Sequence, residues 1–401
     1  MLRSLFSGIS GLRAHQTMLD VTGNNISNVN TAGFKSSQVQ FQDTLSQVLQ
    51  NAGGAQQGVG GTNPAQVGLG VKVAGIVTNF QQGAAQLTNR STDMMINGDG
   101  FFVVEKDGQQ LYSRAGAFSF DSLGQLVTPD GGLVQGWAAD AAGGVDLNAA
   151  VSPLRLPIST LMGAAATSNV SYAGNLPADA ADGTVLNRQI DIYDGTGTAR
   201  SLNLSFTKTA TGWDIAGSIA GTSSTQTGSI TFDTAGAISG LTFPSFPADA
   251  ASGLPAVGVD LSTLTGYAGL ETIAAEDQDG RPAGSLQSFI INSDGTLMGS
   301  FSNGLKQAIG RVALANFTNP GGLEKTGSSL YAATVNSGDA QVGAAGSGGR
   351  GSLTGGSLEM SNVDLSSEFT SLIVAQRGFQ ANSRVITTSD ELLQELVNLK
   401  R

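Results

Sequence analysis

Leu2-Arg3-Ser4-Leu5-Phe6-Ser7-Gly8-Ile9-Ser10-Gly11-Leu12-Arg13-Ala14-His15-Gln16-Thr17-Met18-Leu19-Asp20-Val21-Thr22-Gly23-Asn24-Asn25-Ile26 carries the first strong periodic signal of the chain. Leu5, Leu12, Leu19 and Ile26 recur every seven residues, with Leu2, Ile9, Gln16 and Gly23 interleaved. Those are the a and d positions of a helix that packs along one seam. A second series stands at the other end: Leu365, Leu372, Phe379, Ile386 and Leu393, interleaved with Phe369, Gln376, Ser383, Asp390 and Val397. Val385, Leu392 and Leu399 widen that stripe. Helices are therefore predicted over 1–30 and 365–401. Gln16, Gly23, Gln376, Ser383 and Asp390 interrupt the seams, so a lone pair of these helices is a weak unit. Isolated helices of this length are marginal in water. Charge is mildly complementary, +2 over residues 1–40 against −2 over 359–401. Two arrangements satisfy such stripes: a local bundle, or packing against further copies of the chain. The broken seams favour the second.

Between the ends the pattern is β. Phe101-Phe102-Val103-Val104 and Leu111-Tyr112 flank Asp107-Gly108, a short hairpin signal. One turn recurs in Phe120-Asp121-Ser122-Leu123-Gly124-Gln125-Leu126, in Phe232-Asp233-Thr234-Ala235-Gly236-Ala237-Ile238 and in Ile291-Asn292-Ser293-Asp294-Gly295-Thr296-Leu297. Its Asp or Asn bonds nearby backbone, and its Gly takes the positive-φ position. Glycine-rich stretches at 50–70 and 336–357 bracket this body and read as extended connectors. The fold class is thus α+β, mainly β. A helical core (1–30 plus 365–401) leads through connectors (31–70 plus 336–364) to an inner β domain (71–144 plus 284–335). An outer β domain (145–283) interrupts the inner one, with strand candidates at 189–193, 201–206 and 229–232. Apolar residues at Leu202, Leu204 and Phe206 alternate as in a sheet with one solvated face.

Composition narrows the functional classes. The 401 residues include 13 % charged side chains and 56 glycines, with a net charge of −11 and no cysteine. Charged content is about half the usual share of roughly 25 %. No basic cluster offers itself to nucleic acid. The lone His15 leaves no two-histidine metal site, and without cysteine there is no disulfide or thiolate chemistry. Gly68-Leu69-Gly70 and Gly98-Asp99-Gly100 do not continue into a phosphate-binding loop. Asp277-Gln278-Asp279-Gly280 lacks the order and closing Glu of an EF-hand and reads as a surface turn. No catalytic constellation is found, and no cofactor or metal is expected. No run of about 18 apolar residues predicts a membrane span. Residues 1–21 lack the apolar core of a secretory signal peptide.

Gly23-Asn24-Asn25-Ile26-Ser27-Asn28-Val29-Asn30-Thr31-Ala32-Gly33-Phe34-Lys35 resembles the N-terminal signature of flagellar rod and hook axial proteins. Its diagnostic positions are Asn24, Asn25, Ile26, Asn28, Thr31, Gly33 and Phe34. Asn97-Gly98-Asp99-Gly100-Phe101-Phe102, Tyr112-Ser113-Arg114-Ala115-Gly116-Ala117-Phe118 and Ala375-Gln376-Arg377-Gly378-Phe379-Gln380-Ala381-Asn382-Ser383 resemble later blocks of the same family. Ala173-Gly174-Asn175-Leu176, Asn303-Gly304 leading into Ala313-Leu314-Ala315-Asn316-Phe317, and Gly322-Leu323 with Ser337-Gly338 are similar to its hook members rather than to the shorter rod members. The resemblance covers nearly the whole chain, with a loose match over 145–283.

The resemblance implies a homo-oligomer, many copies in a helical tube that joins rod to filament and passes torque around a bend. It implies rod, hook-cap and hook–filament junction proteins and a type III export apparatus as partners, and an extracellular place in the flagellum. Some relatives cross-link subunits through cysteine, which this chain lacks. The polymerisation interface is then expected at Leu5, Ile9, Leu12, Leu19, Ile26, Leu365, Phe369, Leu372, Phe379, Ile386, Leu393 and Val397. A distal rod protein is the nearest alternative, although the long 145–283 insert argues against it. A secreted β-rich adhesin leaves the paired heptads unexplained, and a secreted enzyme lacks its polar constellation.

Overall fold

Both terminal stripes form helices in the computed structural model, α1 over Leu2–Ser27 and α2 over Leu365–Asn398. The structure describes residues 2–54, 58, 60–140, 143–156 and 161–398, so Leu399 of the second stripe lies outside the described residues. Asp364 caps α2, its Oδ1 accepting the Ser366 and Ser367 N–H groups at 2.8 and 3.3 Å. After α1 the chain reverses at Gly33, whose φ is +69°.

The chain divides into two units. The first comprises Met1–Leu156, Ile290–Met298 and Ala308–Arg401. Its β body is built on Phe101–Lys106, which pairs with Gln109–Ser113 through the Asp107-Gly108 turn. Both turn residues have positive φ, 52° and 74°, the geometry of a two-residue hairpin whose twist matches its strands. Leu133–Ala138 and Lys306–Asn316 complete the centre, with Leu133 opposite Glu105 and Gly136 opposite Val312. Side chains alternate across this sheet into two cores. Phe102, Phe118, Val134 and Leu314 fill one, while Phe101, Tyr112, Trp137 and Phe317 fill the other.

The stretch expected as an extended connector over 50–70 is folded differently. Ser37–Asp43 pairs antiparallel with Val71–Thr78, and Ser46–Gln50 pairs with Ala65–Gly68, so the glycines occupy the far end of a two-stranded ribbon. The near part of the ribbon lies on α1: the His15 and Phe41 rings are 5.8 Å apart, and the Val71 N–H donates to Ser10 Oγ at 3.2 Å. At the other expected connector, Gln341–Ala344 pairs with residues 313–316 and Ser352–Gly355 with Met94–Asn97. Backbone ladders hold these segments where side-chain periodicity is too short to announce a strand.

The second unit comprises Pro157–Phe289 and Gly299–Gln307, against the expected outer domain over 145–283. Val185–Tyr193, Ala199–Thr209, Gly212–Ile219, Thr225–Phe232 and Ile238–Thr242 form an antiparallel meander. Leu202, Leu204 and Phe206 point inward with Trp213, Ile215 and Ile230, and Asn203, Asp214, Ala216 and Ser218 face solvent. A smaller sheet centred on Asn169–Asn175 closes the same core with Val170 and Tyr172.

The recurrent turn is real. Asp121 Oδ1 accepts the Leu123 and Gln125 N–H groups, and Asp233 Oδ1 accepts those of Ala235 and Ala237. Gly124, Gly236 and Gly295 take φ of 73°, 79° and 84°. Asp194 and Gly197 build another copy that the sequence pattern did not single out.

Candidate assembly interface

α1 and α2 pack side by side with opposite directions, Gly8 meeting Ile386 and Asn25 meeting Glu368. The faces they turn to each other are made of small residues. Gly8, Gly11, Ala14, Thr22 and Asn25 lie buried on α1, as do Ala375 and Ser389 on α2. A β-carbon at Gly11 would lie 2.6 Å from Asn382 Oδ1, and one at Gly378 would lie 2.5 Å from the His15 ring. Two side chains thus seat in glycine notches, Asn382 of α2 on Gly11 and His15 of α1 on Gly378.

Apart from Ile386, which meets Gly8, the large apolar residues of the predicted stripes sit beside this seam. On α1 the seam follows 8, 11, 15, 22 and 25, one position N-terminal to the stripe at 9, 12, 16, 23 and 26. Leu5, Ile9, Leu12, Leu19 and Ile26 are partly buried, as are Leu372, Phe379, Ile386 and Leu393. Leu365, Phe369 and Val397 are exposed, Phe369 at 51 % and Val397 at 69 %. Phe6, Ile373, Val374, Val385 and Leu392 are exposed beside them. Intrachain pairing therefore covers the small-residue faces and leaves these large apolar side chains open. Hydrophobic periodicity finds bulky residues and is blind to glycine, which is why the seam itself escaped it. The signal that was available is small residues three apart, Gly8 and Gly11 on one helix and Ala375 and Gly378 on the other.

The signature residues cluster where α1 ends. Asn24 is exposed, whereas Asn25 is buried, its amide bracketing Ser37: Nδ2 donates to Ser37 O at 2.8 Å and Oδ1 accepts Ser37 N–H at 3.0 Å. Asn28 Nδ2 donates to Asn24 O, and Thr31 Oγ1 donates to Asn28 Oδ1, which shapes the reversal. Gly33 donates its N–H to Glu359 O at 2.7 Å, and a β-carbon there would stand 2.4 Å from Ala115 N. Phe34 lies under the Lys325 ammonium, 5.1 Å from ring centre to Nζ. Ile26 is partly buried. Asn25, Asn28, Thr31, Gly33 and Phe34 thus shape one backbone reversal and hold it against the body.

Among the described residues no group of three metal-binding side chains occurs, and no helix is long and apolar enough to cross a membrane.

Four family models match the chain. Residues 5–35 match "Flagella basal body rod protein", and 95–202 match "Flagellar hook protein FlgE/F/G D1 domain". Residues 161–281 match "Flagellar basal body protein FlaE D2 domain", and 354–399 match "Flagellar basal body rod FlgEFG protein C-terminal". The flagellar hook protein FlgE of Borreliella burgdorferi is 41 % identical, covering 100 % of both chains. The flagellar basal-body rod protein FlgG of Bacillus subtilis is 34 % identical, again covering 100 % of both. The crystal structure of the Helicobacter pylori flagellar hook protein FlgE2 superposes with a TM-score of 0.53 at 14 % identity, over 67 % of this chain and 98 % of that one, a likeness of fold. Matched from end to end by a hook protein and carrying the terminal, D1 and D2 models in order, the chain belongs to the flagellar hook protein family.

Proposed function

We propose that the chain is a structural subunit of the flagellar hook, polymerising through its terminal helix pair into a curved tube that passes torque from rod to filament. The observation that carries this is the set of large apolar side chains left uncovered after α1 and α2 have met, Phe369 and Ile373 near the start of α2 and Leu392 and Val397 near its end. Large apolar side chains left exposed along a helix pair mark an interaction surface, and a sequence family of self-assembling components makes further copies their natural cover. Leu5, Ile9, Leu12, Leu19, Ile26, Leu365, Leu372, Phe379, Ile386 and Leu393 border or extend that face and are assigned to the same contact. Outside the helices the surface is poor in charge and rich in hydroxyls and amides, so neighbouring copies slide without breaking strong ion pairs. The tube's ends would meet rod, hook-cap and junction proteins, and the subunit would reach them through a dedicated exporter.

Electron microscopy of purified protein tests this directly. Short curved tubes are expected; a chain that stays monomeric at high concentration overturns the assignment. The 34 % identity to a rod protein supports a second outcome, straight rigid tubes, which would make the subunit a rod component.

A further inference from the structure

Segments from three distant parts of the chain converge on one buried cluster of charge. Lys35 Nζ lies 2.6 Å from Glu359 Oε1, and neither side chain has any solvent exposure. The same ammonium donates to Gln81 O at 2.7 Å, and Glu359 Oε1 also accepts the Gly83 N–H at 2.9 Å. Arg114, 2 % exposed, holds Nη1 at 3.5 Å from the other carboxylate oxygen. Burial pulls the Lys35 ammonium below the ordinary lysine range, against the pull of its bond to Glu359.

Around this cluster, further polar contacts join the segment after α1 to the segment before α2. Asn25 Nδ2 donates to Glu368 Oε1 at 2.9 Å. Asn362 Oδ1 accepts the Ser36 N–H at 2.9 Å, while its Nδ2 donates to Asn79 O and Gln81 O. The Gly33 N–H donates to Glu359 O, and the Met360 N–H donates to Ala84 O. The approach is close throughout, since a β-carbon at Gly83 would stand 2.0 Å from Met360 O.

Glu359 is the one anion that Lys35 pairs with among the described residues. A bare lysine at zero exposure is far costlier than the pair, and Glu359 without Lys35 keeps only the longer Arg114 contact and the Gly83 N–H, so loss of either end loosens the hold on the other. We infer that this cluster is a two-ended clasp: residues 31–37 and 357–362 hold to the β body jointly or not at all, so that α1 and α2 are set as a pair. Lys35, Glu359 and Asn25 are then positioning residues for the interface, although none lies on its apolar face. The clasp acts within one chain and does not depend on the polymer reading.

Hydrogen–deuterium exchange on the full chain, kept dilute enough that no tubes form, tests it. Lys35→Met and Glu359→Gln sit at opposite ends of the sequence, yet each should speed exchange of both segments by about tenfold or more. The amides of Gly33, Ser37 and Met360 report it, while Phe101–Lys106 and Leu133–Ala138 keep their protection. If Lys35→Met loosens only 31–37, or Glu359→Gln only 357–362, the segments are independent and the clasp is wrong. Uniform loosening of the β body would equally overturn it, as a general loss of stability. Should either charge variant fail to fold, Asn25→Ala gives the same reading without stranding a charge. It should loosen 31–44 together with 362–368, and loosening of the first alone overturns the coupling.

Discussion

The second unit and the helix pair treat apolar side chains in opposite ways. In the second unit the largest ones are inside: Trp213, Tyr172, Phe206 and Phe246 are all at 1 % exposure or less. Every strand of its meander has a partner, and its outward face is largely polar. On the helices, the most buried residues are small, and large ones such as Phe6, Phe369, Ile373, Leu392 and Val397 remain uncovered. Burying about 25 cal/mol for each Å² of apolar surface is the main favourable contribution to folding, so one region has collected that stabilisation within its own chain and the other has not. The difference teaches that completeness is local: one protein contains a finished part and a part that is finished only in company.

The largest effect expected from this contrast is on assembly. Phe369→Asp places a charge on the open face without disturbing the intrachain seam. It should raise the concentration needed for tube formation by about a hundredfold or more, as loss of a buried aromatic contact does at interfaces. The melting of the dilute chain should not move. Light scattering against concentration reads the first, calorimetry the second, and normal tubes would show that this face is not the contact. Leu12→Asp and Leu393→Asp should act in the same direction, with some cost to the pair itself because both are partly buried.

Trp213→Ala probes the finished part. Truncating a fully buried large aromatic costs about 3–5 kcal/mol, and denaturant unfolding should show that loss in the transition of the second unit. Tubes should still form from the folded fraction. If assembly vanishes while the unit stays folded, the two regions are not the separate parts that this contrast requires.

Gly378→Ala is subtler. The added methyl meets the His15 ring at 2.5 Å, so either the ring leaves its notch or the helices part. Overpacking of this kind costs about 1–3 kcal/mol, and amide exchange should rise along both helices. No change in exchange would mean that the His15 notch does not hold the pair.

The smallest effect is acid dependence, and its sign differs between the two regions. In the second unit, hydrogen bonds from the Thr196 hydroxyl and the Thr198 N–H hold Asp194 down at about 2. The Ser252 hydroxyl likewise lowers Asp249. Groups depressed in the folded state contribute stability that is full above their unfolded value of 3.8 and is lost as pH falls through the folded one. Glu368 on α2 is raised by burial, with Asp364 adding to the rise against the Asn25 hydrogen bond. Its protonated form is favoured by folding, so its contribution is full below its ordinary value of 4.5 and is lost as pH rises through the folded one. Between about pH 4 and pH 2 the second unit should lose melting temperature while the Asn25–Glu368 neighbourhood does not. Parallel loss in both, followed by site-resolved exchange, would erase the distinction.

Local chemistry was legible in the sequence, and long-range contact was not. The Asp107-Gly108 hairpin, the Asp-anchored turns and the alternation at Leu202, Leu204 and Phe206 each depend on a handful of neighbouring residues. The ribbon over 37–78 has strand marks of its own, Val39 and Phe41 alternating with glutamines and Val71, Val73, Ile76, Val77 and Thr78 rich in β-branching. Its glycine-rich tip reads as a connector, however, and nothing local pairs its two arms. The helical stripes gave the two helices, yet on α1 the seam lay one position away among residues with almost no side chain. Lys35 and Glu359 are 324 positions apart, and no local pattern couples them. Their meaning appears only when the chain ends are brought together.

His15 seated on Gly378 and Asn382 seated on Gly11 form a key with two teeth, one projecting from each helix. A slip of one helical turn, about 5.4 Å, would carry His15 off Gly378 and onto a residue with a side chain, Ala375 one way and Ala381 or Asn382 the other. The pair is thus a keyed shaft of fixed length. A curved tube needs a shorter path along its inner wall than along its outer one. A shaft that cannot telescope supplies none of that difference, so the whole of it must be taken up where one subunit slides past the next.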